Sequence, residues 1–104
     1  MQTSPESLAT LRTLRAKRKF VEDGLYPGAP DEDIRLRCEA GINQLLDEFL
    51  ALLARGASRE QLLSCAKVAL DRFSEEDTEE LEQADTYVAE VMRAVGIRDW
   101  ESSI

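Results

Sequence analysis

A chain of 104 residues holds one small domain with one modest core and leaves no room for a separate catalytic domain. Its formal charge of −8 is uneven, because residues 1–21 carry five Lys/Arg against the single Glu6 while the acidic residues gather beyond them. Such a surface disfavours nucleic acid, whose phosphates need Lys and Arg, and disfavours anionic membranes; a basic protein partner suits it better. Only two cysteines occur, Cys38 and Cys65, no apolar run approaches a membrane span, and the opening MQTSPESLATLR is polar, so a soluble, reduced, cytoplasmic protein is expected.

In chain order, Ser4-Pro5 starts the first helix, since Ser can cap and Pro suits the first helical position, and Asp23-Gly24 is the expected stop. Leu8, Leu11, Leu14, Val21 and Leu25 share its side; Arg18 falls within that stripe and Phe20 opposite it. Arg18 is expected to lay its stem over the core edge and Phe20 to tuck under a loop. The alternatives are an Arg18 ion pair with carboxylates of the last helix, or a Phe20 used in binding. Arg12, Arg15, Lys17, Arg18 and Lys19 form a basic patch without aromatic interleaving or a glycine loop, so a solvated face attracted to its acidic neighbours is expected. The loop DGLYPGAPD, residues 23–31, follows; Pro27-Gly28 suits the centre of a type II turn. Tyr26 beside it either caps the core with its hydroxyl in water or serves as a binding contact.

Asp31, Glu32 and Asp33 open the second helix, over residues 31–55, with a seam of Ile34, Cys38, Ile42, Leu45, Phe49 and Leu52. Leu46, Leu50 and Leu53 widen the seam, marking this as the central helix and Cys38 as a core residue instead of a nucleophile. Ser58 to Gln61 reads as a capping box for a third helix over 59–73. The fourth, 77–95, is capped by Asp77 or Thr78, carries Leu81, Ala84, Val88, Val91 and Val95 at steps of three and four, and stops at Gly96. Trp100 should fold back on the bundle before Ser102 to Ile104 fray. Residues 1–104 are thus expected to form a single all-α domain, a mostly antiparallel four-helix bundle in which Leu45, Phe49, Leu81, Val88 and Val91 share the core.

The chain has no His, which removes the commonest general base and metal ligand, and it lacks zinc, phosphate-loop and dinucleotide patterns. No enzyme activity, cofactor or metal is expected. What remains is the run Glu75, Glu76, Asp77, Glu79, Glu80 and Glu82, six carboxylates in eight residues, without the alternating ligands and central Gly of a calcium loop. Either it is a dipole-stabilised, solvated helix entrance or it is a surface for a partner.

The segment LYPG, residues 25–28, followed by a long helix, and ALDRFSEEDTEELEQADTYVAEVMRAVG, residues 69–96, resemble the small all-helical immunity proteins that bacteria encode beside toxins of the type VI secretion system. The likeness is greatest to those that neutralise NAD(P)-glycohydrolase effectors, and its most specific parts are Tyr26-Pro27-Gly28 and Phe73-x-Glu75-x-Asp77-x-Glu79-Glu80-Leu81 with Tyr87 downstream. Related loci can carry an alarmone synthetase behind a similar gene. The resemblance implies a cognate toxin whose basic nucleotide pocket is blocked by Glu75, Glu76, Asp77, Glu79, Glu80 and Glu82, with Tyr26 and Tyr87 as aromatic contacts. The competing expectation is a non-enzymatic adaptor or homo-oligomeric bundle; a homo-oligomer is also compatible with the immunity role when toxin is absent.

Overall fold

A computed structural model describes residues 4–101. Ser4 caps the first helix, α1 (Pro5–Ala16), by accepting the Ser7 N–H at 3.0 Å. The helix ends at Ala16, not near Asp23, because Lys17 turns to an extended conformation. Two side chains explain the early stop. Continuing the helix would leave Phe20 facing water, whereas the break buries it completely. The Lys19 ammonium, also fully buried, donates back to the carbonyls of Arg15 (3.3 Å) and Lys17 (2.8 Å) and to Asn43 Oδ1 (2.7 Å). It thereby satisfies carbonyls that the helix end leaves free. Phe20 takes a left-handed φ of 61°, which costs about 1–2 kcal/mol and is offset by roughly 1.5–3 kcal/mol from burying the ring. Val21 and Leu25 therefore leave the α1 stripe, and Arg18 lies exposed beside Glu32 at 3.5 Å, not over the core edge.

α2 (Glu32–Ala54) is capped by Asp31, whose carboxylate accepts the Ile34 N–H at 2.8 Å. α3 (Arg59–Asp71) has the expected capping box: Gln61 N–H donates to Ser58 Oγ at 3.2 Å, and Ser58 N–H to Gln61 Oε1 at 2.8 Å. α4 (Thr78–Ala94) starts after Asp77, but the Asp77 carboxylate makes no capping hydrogen bond, so its expected role is not realised. Gly96, at φ 81°, ends α4 in a Schellman motif, with Ile97 N–H on Met92 C=O (2.9 Å) and Gly96 N–H on Arg93 C=O (3.1 Å). α2 ends the same way at Gly56.

The four helices form an all-α bundle. α2 and α4 each pack against all three other helices, while α1 and α3 barely meet, so the centre is a pair and not α2 alone. The buried side chains join into one cluster; Leu45, Phe49, Val88 and Val91 are inside, and Leu81 is half-buried at its edge. Phe73, expected on the α3 seam, lies just past the helix end and is buried. Ile97 and Trp100 fold back and are buried. The expected fraying of Ser102 to Ile104 lies outside the described residues.

Candidate functional site

The connection between α1 and α2 is ordered by its own side chains. Phe20 is its anchor: its ring packs against Tyr87 (centroids 5.1 Å apart), Phe73 (5.9 Å, stacked) and Tyr26 (6.4 Å, edge-on). Its N–H donates to the Tyr87 hydroxyl at 2.9 Å, and its carbonyl accepts the Ala29 N–H at 3.1 Å. Asp23 and Tyr26 exchange both backbone hydrogen bonds, at 2.9 and 3.0 Å, closing a two-residue turn on Gly24 and Leu25. Gly28 has the expected positive φ, 91°, and a side chain there would meet the Glu22 backbone nitrogen at 3.1 Å.

Tyr26 ties this loop to α4, donating its hydroxyl to Glu80 Oε2 at 2.9 Å. Burial, reinforced by the Glu80 carboxylate, raises the Tyr26 phenol above its ordinary range, so it stays protonated and keeps donating. Glu80 itself is buried, and Glu76 is nearly so, held by a bidentate pair with Arg37 at 2.8 and 2.6 Å. Four of the eight expected contact residues thus belong to the framework. Tyr26 and Tyr87 are buried, the first donating its hydroxyl to Glu80 on α4 and the second accepting the Phe20 N–H of the loop, and Glu76 and Glu80 hold Arg37 and Tyr26, so the polar groups of all four are engaged within the fold.

The other four, Glu75, Asp77, Glu79 and Glu82, are exposed, and among the described residues no cation or hydrogen-bond donor meets their carboxylates. Asp77 and Glu79 face Pro27 to Pro30 across an open hollow of ≈ 680 Å³; Glu79 and Glu82 face Asp23, Leu25 and Tyr26 across a second, of ≈ 500 Å³. The acidic field continues to Asp85, whose carboxyl is raised by partial burial and then by Glu101 and Glu82. Three members of the basic patch are engaged within the molecule instead: Arg15 pairs with Asp47 at 2.9 Å, Arg18 pairs with Glu32, and Lys19 is buried against Asn43 and its own backbone carbonyls. Arg18 accordingly meets α2, not α4.

The geometry adds a residue that sequence periodicity placed wrongly. Leu25, at the tip of the turn, is fully exposed at 104% of its reference area. The signal for it was Gly24, a residue suited to positive φ, set between Asp23 and Tyr26 in a tight turn; its φ is 60°. Neither cysteine is poised for chemistry, since burial pushes the Cys38 thiol up to about 11 and the Cys65 thiol, also bonded to Glu48, up to about 12. No three His, Cys, Asp or Glu residues among those described converge to hold a metal, and no described helix is long and apolar enough to cross a membrane.

A family model described as a domain of unknown function, DUF4844, matches residues 2–103. No curated protein and no solved structure matches the chain.

Proposed function

We propose that this chain, which belongs to the DUF4844 family, is an immunity protein that binds a co-encoded antibacterial toxin enzyme and blocks its nucleotide pocket. The first candidate target is an NAD(P) glycohydrolase and the second an alarmone synthetase; the chain itself catalyses nothing and acts in the cytoplasm. The observation that carries this role is the group of exposed carboxylates, Glu75, Asp77, Glu79 and Glu82, which meet no cation within the described fold although Arg37, Arg15 and Arg35 all find acidic partners. The resemblance in residues 25–28 and 69–96 supports the same face. An enzyme that binds a dinucleotide presents positive charge in its pocket, and carboxylates on a fixed helix entrance can stand in for the phosphates. Opposite fields also speed encounter, to on the order of 10⁸–10⁹ M⁻¹s⁻¹ at low salt, which suits a protein that must act before the toxin does.

The test is inhibition of the purified toxin domain encoded beside this gene, followed as hydrolysis of NAD⁺ or NADP⁺ or as alarmone synthesis. Stoichiometric chain should abolish turnover, and the triple variant Glu75→Lys, Glu79→Lys, Glu82→Lys should associate at least about tenfold more slowly at low salt. No inhibition, or a triple variant as potent and as salt-sensitive as the wild type, would remove this role.

A further inference from the structure

Nothing among the described residues covers the side chain of Leu25. The other exposed large aliphatics, Leu36 and Val68, are half covered on helix flanks at 49% and 51%, whereas Leu25 stands clear at 104%. The turn beneath it is nevertheless fixed. Asp23 and Tyr26 are bonded to each other twice through their backbones, and Tyr26 is pinned between the Phe20 ring and the Glu80 carboxylate. A loose loop would let a leucine fall back onto apolar surface, and this one holds it in water. Around it lie Asp23, Glu79 and Glu82, with Gln83 and Thr86 lining the same hollow.

We infer that Leu25 is the apolar anchor of the interface on this face, inserting into an apolar socket rimmed by Lys and Arg on a partner protein. The inference rests on the proposed toxin-binding role and names the residue that sets how slowly the complex comes apart. The partner chemistry follows from the surroundings. A knob encircled by carboxylates matches a socket with a cationic rim, while the same face of a second copy would set like charge against like charge. The labour divides accordingly: the rim carboxylates steer association and bridge to the cationic edge, and the desolvated leucine governs dissociation. Because the turn is already fixed, little ordering is required when the partner arrives.

The experiment places a photoreactive phenylalanine analogue at position 25 or, as control, at position 36, in cells that express the chain together with its neighbouring genes. The protein cross-linked from position 25 is then purified and its binding to wild type, Leu25→Ala and Leu36→Ala is measured at low and high salt. The expected result is an adduct with one foreign protein from position 25 only. Leu25→Ala should then bind about 30-fold more weakly through faster dissociation, at both salt concentrations, with an unchanged melting temperature, and Leu36→Ala should bind like wild type. An adduct with a second copy, no adduct particular to position 25, or an affinity within about threefold of wild type overturns the inference. The two proposals fail separately. A partner without nucleotide-directed activity leaves Leu25 as an anchor and removes the immunity role; a toxin that Leu25→Ala inhibits as well as wild type keeps the role and removes the anchor.

Discussion

The hydroxyl of Tyr87, in the middle of α4, accepts the backbone N–H of Phe20 at 2.9 Å, across 67 residues of sequence. The α1–α2 connection is therefore shaped by a side chain from the far end of the chain. Tyr87→Phe keeps the ring and removes the acceptor, stranding a buried N–H at a residue already in a left-handed conformation. A loss of about 1–3 kcal/mol in urea unfolding is expected. If Tyr87→Phe unfolds at the wild-type urea midpoint, this hydrogen bond does not hold the connection.

Phe49 lies wholly within the core on α2, the helix that packs against α1, α3 and α4. Phe49→Ala should cost roughly 3–5 kcal/mol, the usual result of truncating a buried aromatic residue that its neighbours cannot replace. A measured loss below about 1 kcal/mol would mean that the site collapses around the deletion, contrary to a rigid central pair of helices.

The parts of this fold that were legible in the sequence are those decided within a few residues. The capping box at Ser58 and Gln61, the glycine stops at Gly56 and Gly96 and the seams of α2 and α4 all lie where spacing places them, whereas Asp31, read as the first residue of the second helix, is its cap. The early end of α1 is decided by tertiary partners instead: Asn43 and Tyr87, which receive Lys19 and Phe20, lie 24 and 67 residues away from them. Within the acidic run, charge alone could not tell Glu80 from Glu79. Helical phase could, since Glu80 lies four residues before Ala84 and seven before Tyr87, on the buried side of α4. Periodicity misled at Leu25 because it assumed a helix that had already ended.

Two carboxyls give opposite responses to pH. Arg37 holds Glu76 below its ordinary 4.5, so its contribution is complete above that value and is lost as pH falls through the lower folded value. Asp85 is raised above its ordinary 3.8 by partial burial, with Glu101 and Glu82 adding to it. The fold favours its protonated form, and that advantage is lost as pH rises from the unfolded value through the raised folded one. At neutral pH Glu76→Gln should therefore melt below wild type and Asp85→Asn above it, the latter gain shrinking as salt screens the neighbouring charges. Thermal melts between about pH 3 and about pH 7 would show this, and a loss of stability in Asp85→Asn at neutral pH would contradict it.

The inner and outer members of the acidic run should separate cleanly under mutation. Glu80 is buried and receives the Tyr26 hydroxyl, so Glu80→Leu leaves that hydroxyl without its acceptor and loosens the loop from α4. A stability loss of about 1–3 kcal/mol is expected, and binding should weaken only as the platform does. Glu79 is the residue just before Glu80 and is exposed, with no partner among the described residues. Glu79→Lys forfeits only its favourable position near the helix start, about 0.3–1 kcal/mol, while placing a positive charge against the cationic rim proposed for the partner. Its melting curve should lie close to wild type and its association with the toxin should be slower, most visibly at low salt. Urea unfolding and stopped-flow binding on the same two proteins decide the matter. If Glu79→Lys associates at the wild-type rate at low salt, Glu79 is solvated surface and does not face the partner.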